Sequence, residues 1–182
     1  MTHEVRIIGG QWKRSKLPVA NRPGLRPTPD RVRETLFNWL GQELTGWRVL
    51  DAFAGSGALG FETASRGAAE VLLLESDAAL VHSLAAVKAR LQAGAVQVIA
   101  ADALAWLARC APARFDLVLL DPPFDANVFD AALAAAAPTA APGGFIYLEA
   151  PREFMPAPLG FTRHRYLRAG AVHAHLFVRE QG

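Results

Sequence analysis

A carboxylate, two prolines and an aromatic ring stand together at Asp121-Pro122-Pro123-Phe124, directly after the apolar run Phe115–Leu120. The prolines fix two φ angles and remove two N–H donors, so the loop is stiff and its carbonyls face outward. An exocyclic amine on a nucleobase is a poor nucleophile, because its lone pair is delocalised into the ring. The Asp121 carboxylate and the Pro122 carbonyl are two acceptors that can bind its two protons and turn the nitrogen toward an electrophilic methyl. Phe124 can stack on the base and hold its plane. Such a base has to be unpaired or flipped out of its helix. Rate then comes mainly from alignment of nitrogen, methyl carbon and leaving group. Asp121, Pro122, Pro123 and Phe124 are therefore the candidate catalytic residues, with Asp121 either removing a proton or only orienting the amine. The plainer reading is a strand end followed by an ordinary proline turn.

A second chemical signal lies upstream, in Val49-Leu50-Asp51-Ala52-Phe53-Ala54-Gly55-Ser56-Gly57-Ala58-Leu59-Gly60. An apolar strand ends in an acid, and a loop of small residues then opens a helix, whose first N–H groups are unpaired. Two ligand classes compete for it. Gly55-x-Gly57-x-x-Gly60 matches the dinucleotide fingerprint, which alone is a weak signal. Asp51 tips the balance, because a pyrophosphate at the loop would meet its negative charge. S-adenosylmethionine has no phosphate and carries a cationic amino group and a sulfonium, which an acid suits. Glu75 closes the next strand, where an acid can meet ribose hydroxyls. Asp102 follows the third strand, placed to accept from an adenine amino group or simply to cap a helix. The candidate cofactor-binding residues here are Asp51, Phe53, Ala54, Gly55, Ser56, Gly57, Glu75 and Asp102.

Both motifs need strand ends brought side by side, and the rest of the chain predicts elements that do so. From Trp47 onward, short apolar runs alternate with helical stretches. The strands are Arg48–Asp51, Glu70–Glu75, Val96–Ala100, Phe115–Leu120 and Gly144–Glu149. The helices are Ala58–Arg66, Ala78–Leu91, Ala103–Arg109 and Val128–Ala137. Continuously apolar strands such as Val71-Leu72-Leu73-Leu74 fit the centre of a sheet covered on both faces. Strand–helix alternation of this length predicts an α/β fold with a mostly parallel, doubly wound sheet. Phe161–Leu167 and Ala171–Arg179 have no helix between them and predict a C-terminal antiparallel hairpin.

Ahead of this unit, Val5–Ile8 and Trp12–Leu17 read as a small hairpin around Gly9-Gly10. A Pro-rich loop follows, and then a helix capped by Thr28 or Asp30 and stopped at Gly41. The expected division is 1–45 for this N-terminal part and 46–182 for the catalytic domain, in one compact unit.

The net charge of +2 is unevenly spread over the 182 residues. Residues 1–48 hold nine Lys/Arg against four Asp/Glu, whereas residues 49–182 hold ten against thirteen. A basic arm on a near-neutral body suits a grip on phosphates, the alternative being a solvated, mixed-charge surface. Arg6, Trp12, Lys13, Arg14 and Lys16 are the candidate RNA-binding residues. Arg163, His164, Arg165 and Arg168 make a second basic cluster, either an RNA contact or a solvated strand face. No apolar run reaches membrane-spanning length, the N-terminus lacks a secretory signal, and Cys110 is the single cysteine. A cytoplasmic protein without a disulfide, a metal site or a membrane span is expected, as a monomer.

Asp121-Pro122-Pro123-Phe124 resembles the (Asp/Asn/Ser)-Pro-Pro-aromatic motif of amino-methyltransferases. Arg6-Ile7-Ile8-Gly9-Gly10 and the run from Gly24 through Arg26-Pro27-Thr28-Pro29-Asp30-Arg31 to Asn38 are similar to the RsmD family. The likeness extends from about Val5 to Arg179. It implies a seven-stranded methyltransferase fold and transfer of a methyl group from S-adenosylmethionine to guanine N2 in 16S ribosomal RNA of the small subunit. It implies, too, that Asp51–Gly57, Glu75 and Asp102 bind the cofactor, that Arg26 and Thr28 close over it, and that Asp121–Phe124 hold the guanine. The partner implied is 16S ribosomal RNA or the assembling small subunit. Adenine N6 in RNA or DNA is the nearest alternative target. A nicotinamide-dependent oxidoreductase and a non-catalytic RNA-binding module are the more distant readings.

Overall fold

The computed structural model describes residues 3–23 and 28–182. Two small strands come first, β1 (His3–Arg6) and β2 (Lys16–Val19), then helix α1 (Asp30–Leu40). The alternating part follows as β3 (Arg48–Asp51), α2 (Ala58–Ser65), β4 (Glu70–Glu75), α3 (Ala78–Leu91), β5 (Val96–Ala100), α4 (Ala103–Arg109), β6 (Phe115–Leu120) and α5 (Phe129–Ala136). The chain ends in β7 (Ala140–Ala150), β8 (Phe161–Ala169) and β9 (Val172–Arg179).

Strands β3 to β9 form one seven-stranded sheet in the order β5-β4-β3-β6-β7-β9-β8. β5, β4, β3, β6 and β7 are parallel, while β9 runs antiparallel to both β7 and β8. From β3 the chain winds outward through β4 to β5, then returns to β6 on the other side of β3. Ligands of open parallel sheets bind at such a switch point, beyond the carboxyl ends of the strands. Asp51 and Asp121 end, or directly follow, the two strands that flank it.

Residue alternation shows why the sheet is covered on both sides. Val71 and Leu73 of β4 belong to a core with α1, α2 and α3, whereas Leu72 and Leu74 face a core with α4 and α5. All four are buried, and each contributes roughly 1.5–3 kcal/mol by leaving water.

The N-terminal hairpin differs from its sequence reading in one way. The basic stretch is not a return strand: Trp12–Arg14 form the turn, Arg14 has φ 73°, and pairing begins at Lys16. The hairpin packs on the rest of the chain through Val5, Ile7, Leu17 and Val19, which are buried in the core with α1 and α2. Helix α1 also starts differently. Pro29 occupies the cap position with no side-chain cap bond. The Asp30 carboxylate accepts from Arg33, and the Thr28 hydroxyl is engaged elsewhere. Gly41 does end the helix, at φ 97°.

Among the described residues no helix is long and apolar enough to cross a membrane.

Candidate active site

The glycine loop is shaped by its helix as much as by any ligand. Gly57 caps α2 in the left-handed conformation, φ 82°, and a Cβ there would lie 2.5 Å from the Phe61 ring. A Cβ on Gly60 would lie 2.1 Å from Leu73. Gly60 thus lets α2 pack tightly on the sheet, and Gly57 leaves room for the Phe61 ring of the same helix and for Leu84 of α3. Gly57 is buried and stands behind the cavity lining, whereas Gly55 and Ser56 line it.

The cavity has a volume of about 280 Å³ and opens at the carboxyl ends of the parallel strands. One wall is Asp51, Phe53, Ala54, Gly55 and Ser56; Glu75 and Asp102 stand along the second. Opposite them are Asp121, Pro122 and Pro123, with Thr28 and Val19 reaching in from the N-terminal segment. The two motifs, 70 residues apart in the chain, thus share one space. Arg26 lies outside the described residues. Phe124 is half-buried beside the cavity and meets Phe129 edge-on, ring centres 6.0 Å apart.

Asp51 is 1% exposed. Its Oδ2 accepts the Gly60 N–H at 3.0 Å, so the strand end satisfies a donor in the first turn of α2. Among the described residues its Oδ1 has no partner at hydrogen-bond geometry. Burial pushes the Asp51 carboxyl up to about 7, against the Gly60 and Phe53 N–H groups and with help from the Glu75 and Glu149 charges. Burial raises Glu75 as well. Asp102 is exposed at the rim and does cap α4, accepting from Ala105 N–H at 2.9 Å.

The described lining residues include Asp51, Glu75, Asp102 and Asp121 and no Lys, Arg or His. That donor set fits a cationic ligand: a buried acid oxygen awaits a donor, and the field is negative. A pyrophosphate would meet repulsion from these four carboxylates.

Two residues at the site escaped the sequence reading. Glu149, 1% exposed near the end of β7, accepts from Thr28 Oγ1 at 2.8 Å and from Tyr147 Oη at 3.0 Å. Thr28 Oγ1 also lies 3.1 Å from Asp121 Oδ2. The available signal was Tyr147-x-Glu149, two polar residues on one face of an otherwise apolar strand.

The candidate RNA-binding residues all belong to the hairpin and its turn. Arg6, Lys13, Arg14 and Lys16 are exposed, and Lys16 pairs with Glu4 at 3.3 Å. Trp12 is half-buried against the core. Arg163 of the second basic cluster pairs with Glu153 and lies over the Tyr166 ring, whereas Arg165 and Arg168 are exposed.

The hairpin is held by Glu62, a fully buried acid on α2. Its carboxylate accepts from the N–H groups of Ile8 at 2.7 Å and Gly9 at 3.0 Å, and from Arg66 Nε at 3.0 Å. Arg33 of α1 adds a contact at 3.5 Å and donates to the Arg6 carbonyl at 2.9 Å.

Comparison with known proteins gives a consistent picture. The family model described as Conserved hypothetical protein 95 matches residues 5–178. Ribosomal RNA small subunit methyltransferase D of Escherichia coli K12 is 41% identical over 181 residues, covering 97% of this chain and 91% of that protein. The Haemophilus influenzae protein of the same name is 43% identical over 155 residues, 82% of this chain and 80% of its own. The solved Escherichia coli protein yhhF superposes with a TM-score of 0.86 at 41% identity, covering 99% of this chain and all of that one.

Proposed function

The chain belongs to the RsmD family, and from that membership we propose that it methylates the exocyclic N2 amine of a guanine in 16S ribosomal RNA, using S-adenosylmethionine. The observation that carries the donor is the acidic cavity, in which Asp51 Oδ1 has no hydrogen-bond partner among the described residues. When bound, S-adenosylmethionine supplies the electrophilic methyl on its sulfonium.

The chain's own residues divide the remaining work. Asp51 accepts from the cationic amino group, Glu75 from ribose hydroxyls and Asp102 from the adenine amine, with Phe53, Ala54, Gly55 and Ser56 forming the wall behind. The Asp121 carboxylate and the Pro122 carbonyl accept from the two protons of the target amine and turn its lone pair toward the methyl. Pro123 stiffens the loop, and Phe124 flanks the base plane. The guanine enters unpaired. Arg6, Lys13, Arg14 and Lys16 grip phosphates, and Arg26 closes over the donor, as the family resemblance implies. The protein acts as a monomer in the cytoplasm, on 16S RNA or the assembling small subunit.

Calorimetric titration of S-adenosylmethionine, S-adenosylhomocysteine and NAD, paired with transfer of tritiated methyl to RNA and to DNA, tests this reading. It predicts binding of the first two ligands and label in RNA. Tighter binding of NAD, or binding without transfer to RNA, would overturn it.

A further inference from the structure

β6 and β7 run parallel with Leu120 opposite Leu148, so Asp121 leaves its strand beside Glu149. Two acids so placed need a donor between them, and Thr28 provides it. The segment carrying it is distant in sequence, with Thr28 separated from Asp121 by 93 residues and from Glu149 by 121. Thr28 is 6% exposed, and its single hydroxyl hydrogen serves Glu149 Oε2 at 2.8 Å and Asp121 Oδ2 at 3.1 Å. With one hydrogen to give, the hydroxyl points at the nearer Glu149 oxygen and shares that hydrogen with Asp121 as a three-centre bond. Tyr147 fixes the far end by donating to Glu149 Oε1 at 3.0 Å. Burial and the charges of Glu149 and Asp121 hold its phenol well above the ordinary range, so it remains a donor.

We propose that Glu149 is a positioning residue for methyl transfer: through the Thr28 hydroxyl it holds the Oδ2 edge of Asp121 and so fixes the direction in which that carboxylate meets the target amine. The inference rests on the methyltransferase reading above. It also moves the Thr28 hydroxyl from the donor side of the cavity, where the family resemblance puts it, to the target side. A carboxylate at the mouth of a cavity can rotate about its last bond, and an amine bound to a rotating acceptor loses its alignment. The chain Tyr147–Glu149–Thr28–Asp121 holds the Oδ2 edge against such rotation.

The test measures steady-state methyl transfer to 16S RNA or small-subunit particles, together with calorimetric binding of S-adenosylmethionine, in Thr28→Val, Thr28→Ser and Glu149→Ala. Thr28→Val keeps the side-chain shape and removes the hydroxyl; it should lower kcat roughly ten- to a hundredfold. The KM and Kd of the donor and the melting temperature should stay close to wild type. Thr28→Ser should restore kcat to within about twofold, because it restores the hydroxyl. Glu149→Ala should match Thr28→Val in kcat, and the double variant should be no slower than the slower single, since both break one chain. If Glu149→Ala fails to fold, the Thr28 pair still decides. A Thr28→Val protein with wild-type kcat, or one whose loss lies entirely in donor affinity, would overturn the inference while leaving the methyltransferase reading intact. A wild-type protein that transfers no methyl would overturn both.

Discussion

Two buried carboxylates on neighbouring elements, Glu62 of α2 and Asp51 of β3, have opposite surroundings. Glu62 receives two backbone N–H groups and two guanidinium groups, so its charge is neutralised and its oxygens are occupied. Asp51 receives one clear hydrogen bond, faces other acids and is pushed up to about 7. Equal burial therefore serves opposite ends. A saturated buried ion cluster holds one arrangement of the chain, here the basic hairpin against α1 and α2. A buried acid with an open oxygen is held ready for a partner from outside, at a cost to the empty protein. Position in the helix–sheet layer does not separate the two; the count of donors does.

The strongest way to break this contrast is to truncate each acid. Glu62→Ala leaves buried Arg66 without its carboxylate and Arg33 with Asp30 alone, and a broken buried pair costs about 3–5 kcal/mol. Chemical denaturation should show that loss, and methyl transfer should fall with the folded fraction.

Asp51→Asn should do the reverse. Donor affinity should drop by about 1.5–3 kcal/mol, the worth of a hydrogen bond to a charged group. The empty protein should gain stability, and the sign follows from linkage. A carboxyl raised in the folded state costs stability once the unfolded chain ionises near 3.8, and the cost grows until the folded group ionises near 7. The melting temperature of Asp51→Asn should therefore exceed wild type at pH 8 and match it only at about pH 3, below the unfolded value. For the same reason, wild-type affinity for the cationic donor should rise about tenfold from pH 6 to pH 8, with a smaller rise in Asp51→Asn. Equal melting curves at pH 8 and parallel binding profiles would show that Asp51 carries no such strain.

A smaller effect belongs to the target side. Phe124→Ala should cost about 1–3 kcal/mol in transition-state stabilisation, read as kcat/KM for RNA, with donor binding unchanged. Phe124→Tyr should be mild. Smallest per residue is the contribution of the hairpin surface. Alanine at Lys13, Arg14 and Lys16 should weaken RNA binding and flatten its salt dependence by roughly 0.7 for each phosphate no longer neutralised, while Glu62 still holds the hairpin in place. An unchanged salt slope would reduce these charges to a solvated surface.

The parts legible in the sequence were those that a parallel sheet gathers by rule. Asp51, Glu75 and Asp121 each end an apolar strand or follow one directly, and carboxyl ends of neighbouring strands share one edge. The strand runs β3 to β6 matched for the same reason, since covered strands have no polar face to confuse the pattern. What stayed hidden depends on contacts across long sequence separations. Thr28 looks like a helix cap from its neighbours, yet its hydroxyl is taken by acids on two distant strands. Glu149 looks like a mere strand terminus until Asp121 is placed beside it. Glu62 sits in a helix that is buried on all sides, and only the docking of the hairpin reveals why an acid is tolerated there. The hairpin itself was misjudged because its turn contains Trp12, Lys13 and Arg14, residues with no turn preference, one of them in the left-handed region.

Methyl transfer to small ribosomal subunits that lack the modification, by wild type and by Asp121→Ala, with the RNA digested to nucleosides and separated, is the most direct test of the proposed chemistry. N2-methylguanosine is expected from the wild type, and none from Asp121→Ala, which should still bind S-adenosylmethionine nearly as well. Methyl on adenine N6 would contradict the base assignment. Full turnover by Asp121→Ala, or loss of donor binding in step with turnover, would contradict the placement of Asp121 against the target amine.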